Sequence, residues 1–158
     1  MPESAGTPER SIRIHVAVLP ALARKAEADP VYFFAGGPGQ AASDIGPLVA
    51  ALSDLRKKRD IVLVDQRGTG KSKTLSCKAS SEESSKLDPI AAAFATADGA
   101  ERTEWAACLA TLQGNPAVHR TDDYIDDLES VRKALGHQRI NVWGGSYGSR
   151  VALRYMKR

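Results

Sequence analysis

The apolar positions change period along the chain, and each change marks an element. IRIHVAVL, Ile12 to Leu19, alternates apolar with polar or small residues. That pattern places Ile12, Ile14, Val16 and Val18 on one face of a predicted half-buried strand. VYFFA, Val31 to Ala35, is instead a continuous apolar run, stopped by Gly36, Gly37, Pro38 and Gly39. Such a run suits a strand covered on both faces, as in a parallel sheet. IVLVD, Ile61 to Asp65, and RINVW, Arg139 to Trp143, are read as two further buried strands. Between the strands the period lengthens to that of a helix. Leu48, Val49, Leu52 and Leu55 recur at helical spacing after Pro47, and Trp105, Cys108, Leu109 and Leu112 give residues 101–113 one apolar side. The clearest helix runs from Thr121 to Gly136. Thr121 is its expected cap, Asp122 and Asp123 suit its positive end, and Tyr124, Leu128, Val131 and Leu135 form its stripe. Arg132 and Lys133 fall in the last turn and Gly136 stops it. Strands alternating with helices predict an α/β fold with a doubly wound, mostly parallel sheet. Residues 76–100 are rich in Ser and Ala, lack a strong period, and read as an insertion within one domain.

Composition narrows the choice of partners. The chain has 158 residues, 42% hydrophobic and 26% charged, ordinary for one soluble domain. A net charge of +3 is too small to argue for nucleic acid. The basic run Arg56 to Arg59 follows a helical pattern and has no aromatic residues interleaved, so it reads as a solvated helix end. No apolar run is long enough for a membrane-spanning helix, and the first residues lack the apolar core of a secretory signal. The first strand begins so early that the chain reads as starting inside a fold. Cys77, Cys108, His15, His119 and His137 do not fall at metal-ligand spacing, so neither a metal nor another cofactor is expected. The two cysteines read equally well as thiols or as a disulfide, the latter stabilising by roughly 3–4 kcal/mol on the chain-entropy model.

Three stretches carry chemistry. Gly144-Gly145-Ser146-Tyr147-Gly148 fits G-x-S-x-G and lies between a predicted strand and a helical stretch. That context suits a nucleophile elbow, in which small neighbours let a serine adopt a strained turn while the following helix N-terminus faces a developing oxyanion. AGGPGQ, Ala35 to Gln40, follows a buried strand and could present a loop N–H to the same oxyanion. DQRGTGKS, Asp65 to Ser72, ends like a phosphate-binding loop. However, Asp65 occupies the position where that loop needs its first glycine, which argues against a phosphate cradle.

In this order and at this spacing, the three stretches resemble the proline iminopeptidase and tripeptidyl aminopeptidase branch of the α/β-hydrolase superfamily. The resemblance implies Ser146 as catalytic nucleophile. It implies an oxyanion hole from the Tyr147 N–H and a glycine N–H of the Gly36–Gly37 pair, Gly37 by preference. It makes DQRGTGKS a structural turn that braces the active-site loops, and it implies a Cys77–Cys108 disulfide, as in secreted members. Ala35 departs from the histidine common in proline iminopeptidases, which leans toward the tripeptidyl aminopeptidase side. The implied activity is a serine peptidase acting on peptides or small esters and amides.

A serine needs a neighbouring base, and in this fold the acid and then the histidine follow the nucleophile. After Ser146 the sequence YGSRVALRYMKR holds no His, Asp or Glu. The chain therefore reads as the N-terminal portion of one α/β-hydrolase domain, an incomplete core without its C-terminal portion and lid, and inactive by itself. The alternative is a truncated, non-catalytic scaffold that acts as a binding protein. Either reading leaves the strand Arg139–Trp143 with an unpaired edge, which predicts self-association. The compartment stays open: the resembling branch is often exported, and no leader is visible here.

Overall fold

The computed structural model describes residues 12–51, 53–72, 99–112 and 116–158. Among them four strands form one sheet: β1 (Val16–Leu19), β2 (Val31–Phe34), β3 (Ile61–Val64) and β4 (Asn141–Gly144). Their order is β1-β3-β2-β4, with β2 parallel to both β3 and β4 and β1 antiparallel to β3. The sheet is thus mostly parallel, as expected, with one antiparallel edge. The two continuous apolar runs hold its centre, every residue of β2 and β3 being buried. RINVW departs from its expectation of full burial. β4 lies at an edge, with Asn141 and Trp143 exposed and a neighbouring strand on one side only among the described residues. The first strand is also shorter than expected. Its ladder starts at Val16, and Val18 remains 44% exposed.

Helices cover both faces, as doubly wound architecture requires. Among the described residues the helices are α1 (Gly46–Ala51), α2 (Ser53–Arg56), α3 (Gly99–Thr111), α4 (Thr121–Ala134) and α5 (Tyr147–Met156), and those that pack on the sheet are α1, α2, α4 and α5. Because side chains alternate along a strand, Tyr32, Phe34, Val62 and Val64 meet Tyr124 and Leu128 of α4 and Val151 and Ala152 of α5. Val31, Phe33, Ile61 and Leu63 meet Ala42 and Val49 on the opposite face. The expected helix after Pro47 is split into α1 and α2, preceded by a 3-10 turn at Ala42–Ile45. Val49 is its buried residue, whereas Leu48 is 66% exposed.

The chain divides into two compact units, Met1–Thr74 with Ala117–Arg158, and Leu75–Pro116. Within the second, α3 carries Cys108, which is disulfide-bonded; Cys77 and most of the expected insertion lie outside the described residues. Leu109 of α3 is exposed, so the apolar side expected there is not wholly buried.

The start of α4 corrects a second expectation. Arg120, not Thr121, is the capping position, its N–H donating to the Asp123 carboxylate at 3.0 Å. The Thr121 hydroxyl instead shares a 3.0 Å hydrogen bond with the Tyr147 hydroxyl. A polar contact between two helices has displaced the local cap. The helix does end as expected, with Gly136 at φ 73°.

Candidate active site

Ser146 lies between β4 and α5 with φ 53° and ψ −122°. Among the described residues no other non-glycine has positive φ. That region is unfavourable for a side chain bearing Cβ, by about 1–3 kcal/mol, and persists only where the surroundings enforce it. Two glycines enforce it. A Cβ on Gly144 would stand 2.3 Å from the Gly148 carbonyl oxygen, and one on Gly148 would stand 2.2 Å from the Phe34 carbonyl oxygen. The first turn of α5 therefore sits directly on the backbone of β2. Gly148 and Ser149 donate backbone hydrogen bonds to Gly145 and Ser146 at 2.8 and 3.0 Å, and the Ser149 hydroxyl donates to Gly144 O at 2.9 Å. Tyr147, the first helical residue, has an N–H without an intrahelical acceptor. Ser146 itself is exposed.

The glycine loop stands beside it. A Cβ on Gly36 would lie 3.5 Å from Ser146 Cβ, which places the loop against the serine. Gly37 has φ 101° and Gly39 φ 106°, and the Gly37–Pro38 peptide bond is cis. Sequence reasoning missed the role of Gln40. Its Oε1 accepts the Gly36 N–H at 3.1 Å, closing the loop on itself. A polar side chain ending the glycine run was the available signal.

DQRGTGKS forms a turn, and its hub is the fully buried Asp65. One carboxylate oxygen accepts the Ser43 N–H at 2.8 Å; the other accepts the Ser43 hydroxyl at 2.9 Å and the Lys71 N–H at 3.1 Å. The Ser72 hydroxyl donates to Asp65 O and receives the His15 N–H, tying the turn to the segment before β1. Gly70 is required because a Cβ there would lie 2.5 Å from Asp65 Oδ2. The Lys71 N–H thus points to a carboxylate, which is incompatible with gripping a phosphate. Arg67 leaves the same turn for α4. It meets Asp127 through two bonds of 2.7 and 2.6 Å and also donates to the carbonyls of Val118 and Asp123. The Asp127 carboxylate raises the Arg67 pKa further above its ordinary value.

No acid or base joins the serine here. Among the described residues, neither a histidine nor a carboxylate lies within hydrogen-bond distance of the Ser146 hydroxyl. His137 precedes β4 while Ser146 follows it, and its Nδ1 pairs with the Tyr32 hydroxyl at 3.0 Å. Burial lifts that phenol to about 12. Among the described residues, no three His, Cys, Asp or Glu side chains gather as metal ligands, and no helix is long and apolar enough to cross a membrane.

A strand, a strained serine and a helix set on a parallel sheet, with a glycine loop alongside, define a class. The chain belongs to the alpha/beta hydrolase fold family, which matches residues 29–158. It is 31% identical over 126 residues to a proline iminopeptidase of Xylella fastidiosa and 29% identical to one of Neisseria meningitidis. Each match takes in 80% of this chain but 27% of the relative's length. Among solved structures it resembles the proline iminopeptidase of Mycobacterium smegmatis, with a TM-score of 0.53 and 20% identity over 92% of this chain and 38% of that one. A proline iminopeptidase-related protein from Thermus thermophilus superposes with a TM-score of 0.51 at 18% identity, covering 93% of this chain and 41% of its own.

Proposed function

We propose that this chain supplies the nucleophile and oxyanion donors of a serine hydrolase that cleaves amide or ester bonds by acyl transfer through Ser146. The observation that carries the reading is the left-handed backbone of Ser146 between β4 and α5. It is a strain that a plain turn residue would not need. In the proposed reaction Ser146 Oγ bonds to the substrate carbonyl carbon and gives its proton to a base. The carbonyl oxygen becomes an oxyanion, which the Tyr147 N–H and the Gly37 N–H stabilise. Collapse breaks the bond to the amine or alcohol, which leaves with the proton returned by the base. Water then attacks the acyl carbon, giving its proton to the base, and the acid departs as that proton returns to Ser146 Oγ. A preorganised donor of this kind contributes about 10²–10³ in rate.

The relatives are named proline iminopeptidases, so peptides that lose an N-terminal residue are the proposed substrates. We further propose that the acid and base come from polypeptide beyond these residues, since none follows Ser146 and the relatives are several times longer. The 158-residue chain alone should accordingly turn over little or nothing. The competing reading, a non-catalytic scaffold used for binding, draws on the absence of a base beside Ser146 among the described residues. Hydrolysis of aminoacyl arylamides by the full reading frame separates the two. The serine reading expects turnover that falls by about 10⁴-fold or more in Ser146→Ala. Turnover that survives the substitution overturns it, and no turnover by the full reading frame favours the scaffold.

A further inference from the structure

We infer that Gln40 is a positioning residue that decides which loop N–H faces the oxyanion. The inference rests on the acyl-transfer reading of Ser146. The glycine loop offers two neighbouring N–H groups, from Gly36 and Gly37. Gln40 takes up the first: its Oε1 accepts the Gly36 N–H at 3.1 Å. The same oxygen would lie 3.3 Å from a Cβ on Gly36, while Ser146 Cβ would lie 3.5 Å from it, so the carboxamide and the serine flank one glycine. Among the described residues no acceptor takes the Gly37 N–H, which stays available to a ligand.

The loop is also held at its far end, where Asp65 accepts both the N–H and the hydroxyl of Ser43. Asp65 is buried and fixes where the loop returns to the fold, whereas Gln40 is exposed and fixes the loop's tip. A loop with two glycines at positive φ has many conformations to lose, and one side-chain acceptor removes much of that freedom. Without the Gln40 acceptor, the Gly36 and Gly37 N–H groups compete for the same position and the donor geometry loosens. Misplacement of about 1 Å at such a site lowers rates by up to about 10²-fold.

The charge of residue 40 supplies a test that a purely structural role would not pass. Gln40→Glu keeps the acceptor for Gly36 but places a carboxylate beside the developing oxyanion. Its expected result is a loop closed as in the wild type, with serine reactivity suppressed relative to the wild type at neutral pH and that ratio rising toward one as the pH falls through the carboxyl range. Gln40→Ala should open the loop and slow reaction by about ten- to a hundredfold at every pH.

Two measurements decide the matter. Amide hydrogen exchange on the 158-residue chain should show Gly36 protected relative to Gly37 in the wild type and in Gln40→Glu, with that protection lost in Gln40→Ala. Equal exchange of the two amides in the wild type, or protection that survives Gln40→Ala, overturns the inference. In the full reading frame, the pH profile of fluorophosphonate labelling should differ between Gln40→Glu and Gln40→Ala as described; identical profiles also overturn it. If the wild type does not label at all, the reading of Ser146 fails, while the exchange experiment still decides what Gln40 holds.

Discussion

Ser146 carries a backbone cost that its neighbours make unavoidable. The G-x-S-x-G spacing was legible in the sequence, but the reasons for its glycines were not. They come from contacts across the sheet: Gly148 lies against the carbonyl of Phe34, a residue far earlier in the chain. Gly148→Ala should therefore destabilise the protein by roughly 3 kcal/mol, because the clash is with backbone that cannot swing aside. Equilibrium denaturation checks this, and a loss below about 1 kcal/mol would mean that the helix can lift off β2. Ser146→Gly should act in the opposite direction, raising stability by about 1 kcal/mol by relieving the positive φ while removing the proposed nucleophile. A variant that is less stable than the wild type would show that the elbow is not strained.

Among the elements, the pattern of apolar runs identified which strands lie at the centre. Of the described strands, VYFF and IVLV alone are buried along their whole length, and they sit side by side. It read RINVW as buried, whereas among the described residues Asn141 and Trp143 are exposed and Asn141 donates to Asp29 at 2.8 and 3.1 Å. It also could not foresee the ion pairs that fasten turns to helices, since these join residues far apart in sequence. Arg67 and Asp127 are each only 13% exposed. Arg67→Ala would strand a carboxylate and should destabilise by about 3 kcal/mol in chemical denaturation. Arg67→Lys should recover little of this, because an ammonium cannot reproduce the two parallel bonds and the carbonyl contacts. Full recovery by lysine would reduce the site to a simple charge.

A second cluster ties α4 to α5. Arg132 donates to both Glu129 oxygens at 2.8 and 2.7 Å, and the Tyr155 hydroxyl donates to Oε2 at 2.8 Å. The Arg132 guanidinium, helped by the Tyr155 hydroxyl, lowers the Glu129 pKa from 4.5 to about 2. A depressed carboxyl binds fewer protons in the folded state. Its stabilising contribution is complete above the ordinary value and is lost as the pH falls from 4.5 toward 2. Thermal unfolding followed across that window should show a steeper acid loss in the wild type than in Glu129→Gln. Parallel curves would mean that the pair does not stabilise the fold.

At the scale of the whole molecule, the fold class could be read from the alternation of periods, and the candidate site from three short motifs in order. What stayed hidden was whatever depends on distant chain: the antiparallel placement of β1, the Thr121–Tyr147 hydrogen bond, and Gln40 closing the glycine loop. Self-association was expected from the unpaired edge of β4, where Trp143 is 43% exposed; Leu153 and Met156 of α5 are exposed as well, at 60% and 63%. Sedimentation of the 158-residue chain should show concentration-dependent assembly, and a monodisperse monomer would remove that expectation. The central claim concerns Ser146, and the most direct test is to map a fluorophosphonate adduct by mass spectrometry in the protein expressed from the full reading frame. The account predicts one adduct, on the peptide that carries Ser146, and none in Ser146→Ala. An adduct on another residue, or no adduct on a folded wild-type protein, would contradict it.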